Sequence, residues 1–206
     1  MTEKDAGQLI DRFLTELVSL LDFKRIESVR YARPAHDAIA ILSFPWHLSA
    51  DGHVTFNVWV ALRFESLVEW LDDEPAEMRP TLMRPIHFLR EDQTYTTWTF
   101  SSRDGLEKLR DSILDDLKRY ALPFIDRYSR VTELRKAIES PDKQDWIAAG
   151  LNVDTRVTTL AAIQVVEGDK AGATKTLDDA LLERKNEHRK RRFDIEYLRK
   201  RLQETN

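Results

Sequence analysis

The chain contains no cysteine among its 206 residues. That excludes disulfides, thiolate zinc sites and cysteine nucleophiles together. Glycine is also scarce, at six residues, and none sits in a Gly-rich loop able to cradle a phosphate. No apolar run approaches the roughly 18 residues a membrane-spanning helix needs. The start, Met1-Thr2-Glu3-Lys4-Asp5, is polar and does not read as a secretory signal. No Gly-x-Ser-x-Gly elbow is present, and no Ser-x-x-Lys stands at a convincing helix start. What remains is a charged, globular composition. Lys and Arg number 32 against 36 Asp and Glu, for a net charge of -4, with 42% hydrophobic and 33% charged residues. A cytoplasmic protein without a cofactor is the expectation.

The hydrophobic pattern changes period along the chain. Leu9, Ile10, Phe13, Leu14, Leu17, Val18 and Leu21 recur at spacings of three and four, which predicts a helix ending near Asp22-Phe23. From Val54 to Phe64 every second residue is apolar, a strand with one buried face. The segment from Asp37 to Leu48 is apolar on both faces, as in a central strand, and Asp51-Gly52 between the two reads as a hairpin turn. Ile26 to Arg33 is a weaker strand that Pro34 should stop, and Tyr95 to Phe100 another strand. The connection from Asp72 to Gln93 carries Pro75, Pro80 and Pro85 and repeats Met-Arg-Pro at 78–80 and 83–85. Three prolines forbid a regular helix or central strand there, although Ile86 to Leu89 could form a short edge strand.

From Ser101 the chain reads as helical. Pro123 should break or kink one helix after Tyr120. Ser140-Pro141 reads as the cap and first residue of another, ended by Gly150, and Gly168 and Asp169 mark a further boundary. The final stretch from Asp169 reads as a single long helix. Leu177, Leu181, Arg184, His188, Arg191, Ile195, Leu198 and Leu202 follow a heptad seam with a charged middle. Such a seam allows a homodimer through the C-terminal helix or packing on the preceding helix. The fold expected is α+β: an antiparallel sheet of about four or five strands packed against helices over 1–130, and a helical extension over 131–206.

One resemblance has residues behind it. The order helix, Leu20-Leu21-Asp22-Phe23-Lys24-Arg25, Tyr31, Phe44-Pro45-Trp46, Val54-Thr55-Phe56-Asn57-Val58 and Ala121-Leu122-Pro123-Phe124 resembles a bacterial family catalogued as domain of unknown function 4304, over roughly residues 8 to 130. Asp22 stands where that family carries glycine. The resemblance implies an α+β fold and no transferable catalytic residue.

Candidate chemistry is sparse. His47 and His53 flank the Asp51-Gly52 turn but supply too few ligands for a zinc site. Neighbouring carboxylates, such as Asp115-Asp116, point to different sides of a helix and read as solvated. A protein partner is the favoured reading, with Trp46, Trp59, Arg63, Arg79 and Arg84 as contact residues. Asp72, Asp73 and Glu74, beside Glu77, form an acidic cluster suited to a basic partner. The sharpest version is a non-catalytic interaction module of a bacterial immunity, antitoxin-like or defence-complex kind. The alternative is a nucleic-acid-associated protein using Arg184, Lys185, Arg189, Lys190, Arg191 and Arg192 of the last helix. An enzyme whose site is assembled from scattered residues is the third reading.

Overall fold

A computed structural model describes residues 2–71, 80–183 and 193–204. In chain order the elements are α1 (Glu3–Ser19), β1 (Lys24–Glu27), β2 (Arg30–Ala35), β3 (Ala38–Ser43), β4 (Trp46–Leu48), β5 (Val54–Phe56) and β6 (Trp59–Arg63). Then come α2 (Glu65–Leu71), β7 (Leu82–Pro85), β8 (Trp98–Phe100), α3 (Arg103–Glu107), α4 (Arg110–Asp116) and α5 (Leu122–Tyr128). The remainder is α6 (Val131–Glu139), α7 (Lys143–Ala148), α8 (Val153–Val166), α9 (Lys170–Glu183) and α10 (Phe193–Glu204). The fold is α+β. The chain divides into one unit of Met1–Leu62 with Met83–Ser129, and a second of Arg63–Leu82 with Arg130–Asn206.

In the first unit, an antiparallel five-stranded sheet has the order β1-β2-β3-β6-β7, and a smaller sheet the order β4-β5-β8. The two sheets share one long bent hairpin. β3 lies beside β6 in the large sheet, while β4 and β5 pair at its tip, with Trp46 opposite Phe56 and Leu48 opposite Val54. The corner has an identifiable cause in Pro45. Pro45 has no N–H to continue the β3 ladder, and its carbonyl accepts from Asn57 N at 3.3 Å. The unbroken alternation from Val54 to Phe64 therefore spans two strands in different sheets, not one. Phe56 and Val58 are both buried across the break, because the inside of the corner is core for both sheets. The tip is the turn expected at Asp51-Gly52: Gly52 has φ 82°, and Ser49 N donates to the His53 carbonyl at 2.8 Å.

Rings line the inside of this corner. Tyr31 meets Phe44 edge-on at 5.9 Å, Phe44 lies 6.5 Å from Phe56, and Phe56 stacks on Trp98 at 5.7 Å. α1 buries Ile10, Phe13, Leu14, Leu17 and Val18, the expected stripe. Thr2 and Asp5 cap it reciprocally.

The helix stops earlier than its apolar spacing predicts. Asp22 takes φ 63°, and Phe23 N donates to the Val18 carbonyl at 3.2 Å. This is the left-handed residue that reverses the chain after a helix, ordinarily glycine. Asp22→Val is expected to cost about 1–2 kcal/mol, because a β-branched side chain suits this backbone poorly, whereas Asp22→Gly should cost nothing. Urea unfolding of both variants reads the difference.

Other expectations are corrected by their surroundings. Pro34 does not stop β2. It pairs with Ile39 on one side and lies past the last residue that β1 covers, where a missing donor is tolerated. Ile86–Leu89 is a 3₁₀ turn, not an edge strand. Pro123 is absorbed without a break: a π-helical turn over Leu117–Ala121 joins α4 to α5, and Pro123 lies in the first turn of α5. Asp142, not Ser140, caps α7, its carboxylate accepting from Gln144 N at 2.9 Å.

The second unit is helical among its described residues. α7 and α8 end on Gly150 (φ 90°) and Gly168 (φ 87°), as expected, each followed by the paired bonds of a left-handed cap. α8 and α9 pack as a pair, with α2 and α10 against them. Ala161, Val165, Ala173, Leu177, Ala180, Ile195, Leu198 and Leu202 form one buried cluster, on which Trp70 packs. The heptad seam is thus not a single straight helix. Its two apolar ends, on α9 and α10, meet each other. Arg199 pairs with Asp178 at 2.5 Å. On one continuous helix those residues would lie about 31 Å apart.

Candidate functional site

The sequence-derived contact residues separate in the structure. Arg63 is 5% exposed and its Nε donates to Glu65 Oε1 at 2.7 Å. It is therefore not an accessible contact. The second face of that strand, running through Trp59, Ala61 and Arg63, is largely closed: Trp59 is half-buried and both Ala61 and Arg63 are buried. Trp46 is half-buried, and its ring lies 3.4 Å from where a side chain on Gly7 of α1 would begin. Asp72, Asp73, Glu74 and Arg79 lie outside the described residues, as do Arg184, Lys185, Arg189, Lys190, Arg191 and Arg192. His53 Nε2 is 3.8 Å from Asp51. Among the described residues, no three His, Asp or Glu side chains are grouped closely enough to hold a metal ion.

Arg84 is the contact residue that the fold places in a surface feature. It stands on β7, between Met83 and Pro85, and the 3₁₀ turn follows at once. Met83, Phe88 and Tyr95 are 47%, 44% and 66% exposed. Phe88 takes the Arg84 guanidinium over its face at 5.2 Å. His87, 8% exposed, is flanked by rings: Phe88 at 4.3 Å and Tyr95, edge-on, at 4.9 Å.

The scaffold beneath is rigid for physical reasons. Pro85 and the 3₁₀ turn fix the backbone of His87 and Phe88. The turn packs on the π-helical turn of Leu117–Ala121. Arg90 ties the two together: its Nη1 donates to Asp116 Oδ2 at 3.1 Å and its guanidinium lies over the Tyr120 ring at 5.4 Å. The loop to Tyr95 is held by Asp92, which accepts from Arg90 Nε at 3.3 Å and from Thr94 N at 3.1 Å.

Burial sets the charge states. It pushes the Arg84 guanidinium down from the usual arginine range. Burial, then the Arg84 charge, lowers His87, so the ring is neutral at pH 7. Its buried Nδ1 has no hydrogen-bond partner among the described residues. Burial raises the Asp116 carboxyl, and outweighs the attraction of Arg90. Arg90 is pulled down by burial, but its bond to Asp92 and the Asp116 charge leave it raised.

The His87 shift has a signed consequence. Below about pH 6.5 the unfolded chain takes up a proton at this position that the folded chain refuses. Stability should therefore fall as the pH drops from about 7 towards 5, and His87→Gln should flatten that part of the profile. Urea midpoints measured across the window check it. An unchanged slope would mean that His87 titrates alike in both states.

Elsewhere in this unit, a hollow of about 220 Å³ is lined by Asp5, Arg12, Glu16, Arg103 and Glu107 around Phe13. Its walls carry both signs of charge. No helix among the described residues is long and apolar enough to cross a membrane.

The Met83-Arg84-Pro85 repeat leads to Arg84 but not to His87, Phe88, Arg90, Tyr95 or Tyr120, and Asp116, which reads as solvated, is instead part-buried against Arg90. The available signal was two aromatics close behind a proline, with no period that pointed to a buried face. Compared with family models, curated proteins and solved structures, the chain matches none.

Proposed function

We propose that the chain is a non-catalytic protein–protein interaction module that engages its partner through Met83, Arg84, Phe88 and Tyr95. The observation that carries this reading is a pair of exposed aromatic rings against the same His87, Phe88 of the braced turn and Tyr95 of the loop after it, with Arg84 over Phe88. Met, Arg and aromatic residues are the types enriched at protein interfaces, and pre-ordered anchors lose little entropy on binding. A π-helical turn beneath them fits, since such turns recur at functional sites. A bacterial immunity, antitoxin-like or defence-complex role, in a protein of the domain of unknown function 4304 kind, is the specific form we favour. The left-handed backbone at Asp22, where that family carries glycine, supports the resemblance.

The test is an affinity capture from lysate of the source organism, with and without nuclease, comparing the native chain with Phe88→Ser/Tyr95→Ser. The native chain should retain a stoichiometric protein after nuclease treatment. The variant should bind it roughly 30-fold or more weakly, in line with the loss of two interface anchors. Its unfolding free energy should change by less than about 1 kcal/mol, since both side chains are exposed. Equal retention by the variant, or retention that nuclease abolishes, would refute the proposal.

A further inference from the structure

Both exposed anchor rings rest on one buried ring. The His87 imidazole, 8% exposed, lies 4.3 Å from the Phe88 ring and 4.9 Å from Tyr95. The two anchors are held differently. Phe88 belongs to the 3₁₀ turn that packs on the π-helical turn. Tyr95 stands on a loop whose residues 91–95 are all exposed. Asp92 fixes that loop as far as Thr94, and beyond it the Tyr95 ring meets His87 edge-on. His87 is thus the contact that the two anchors share.

The imidazole suits its place only while neutral. Its Nδ1 is buried, with no hydrogen-bond partner among the described residues. Whichever nitrogen carries the proton of the neutral ring, the imidazolium has a donor at Nδ1 that meets no acceptor. A buried charge needs a counter-charge, and the surroundings supply the wrong one. Arg84 on β7 is the charge that acts on the ring, and it opposes a second positive charge. The turn and loop add Arg90, Glu91 and Asp92, and the end of α4 with the π-helical turn adds Asp115, Asp116, Lys118, Arg119 and Tyr120. Ile86 N bonds to the Val58 carbonyl, where Asn57, Val58 and Trp59 bring no titratable group. Of the carboxylates, Asp92 and Asp116 are bonded to Arg90, and Glu91 and Asp115 are exposed. An imidazolium would be attracted to the Phe88 ring, but the Arg84 guanidinium already lies over it.

We infer that His87 is a proton-operated latch of the docking surface: on taking up a proton the imidazole withdraws from Phe88 and Tyr95, the two anchors separate, and the partner is released. The inference rests on the proposed interaction-module reading. The ring has a short way to water, because the loop beside it is exposed throughout. Below the pH at which the folded chain takes up this proton, the closed fraction and the affinity should fall by up to about tenfold per pH unit.

The full chain, labelled in its aromatic rings, is followed by NMR at about pH 7.5 and about pH 5, a span in which histidines change charge. At the higher pH the His87 ring should show nuclear Overhauser contacts to both Phe88 and Tyr95. At the lower pH both should vanish, while the Phe56–Trp98 contact inside the corner persists. His87→Phe keeps a ring but takes up no proton, so Tyr95 should stay against position 87 at both values. In the lysate capture, the native chain should hold its protein at least roughly tenfold more weakly at the lower pH, and His87→Phe should hold it equally at both.

Ring contacts that survive protonation of His87 would overturn the inference. So would their loss in His87→Phe, which would put the decisive proton elsewhere, with Asp116 the first suspect. Loss of the Phe56–Trp98 contact over the same range would mean acid unfolding in place of a latch. Equal retention by the native chain at both pH values would overturn the latch and leave the docking reading standing. Capture of nothing at either value would refute the interaction module itself, on which release depends, whether or not the rings part.

Discussion

Phe56→Ala is expected to lower the stability of the first unit by about 3–5 kcal/mol, the usual cost of deleting a fully buried ring. Three rings surround Phe56: Phe44 at 6.5 Å, Trp98 at 5.7 Å and Phe100 at 6.3 Å. They come from the opposite arm of the bent hairpin and from β8, so relaxation around the cavity would have to move both together. A site that cannot collapse keeps its cavity and takes the upper part of the range. Phe56→Leu keeps most of the volume and should cost about 1–1.5 kcal/mol. Guanidinium unfolding of both variants checks the pair. A loss under about 1 kcal/mol for alanine would show that the corner is not packed around this ring.

That corner also marks how far a period-two pattern reads. Alternation states which side of a strand faces the core. It does not state which sheet the strand belongs to. Val54, Phe56, Val58, Val60, Leu62 and Phe64 are all buried, as the alternation requires, yet the ladder changes partners between Phe56 and Trp59. The signal for the change lay on the other arm, in Pro45, and only the pairing of the arms gives it meaning. Local punctuation was more legible. Asp51-Gly52, Gly150 and Gly168 act where they stand, since each needs only its own φ and a few neighbouring bonds. Asp22 does the same work as those glycines without their signature, which is why α1 reads three residues too long.

The candidate site was legible only in its first part. A repeated Met-Arg-Pro is conspicuous in a sequence, and Arg84 followed from it. Phe88 and Tyr95 depend on a 3₁₀ turn and a loop, where no periodicity assigns an inside and an outside. Their support comes from Asp116, at the end of α4, and Tyr120, on the π-helical turn, which both meet Arg90 just after the 3₁₀ turn. Residues so distant in sequence have no local pattern in common. Arg63 failed in the other direction: its type suggested an exposed anchor, but β6 is covered on both faces and Glu65 takes up its charge.

The C-terminal seam poses the same problem on a larger scale, and one substitution resolves it. Leu198 is buried against the α8–α9 pair, so Leu198→Ala should cost about 2–5 kcal/mol. The loss should raise the hydrogen-exchange rates of amides in α8 and α9 as well as in α10. A heptad seam that paired two chains would also be weakened by this change, but its melting temperature would depend on protein concentration. In the fold described here Leu177, Ile195, Leu198 and Leu202 are already spent on one another within a chain. The melting temperature of both native protein and variant should therefore stay constant over a hundred-fold range of about 1–100 μM, where a dissociating dimer would shift by several degrees. A concentration-dependent transition would return the seam to the surface and make it the first interface to map. A constant one leaves the exposed side chains at Met83, Phe88 and Tyr95 as the apolar surface to pursue.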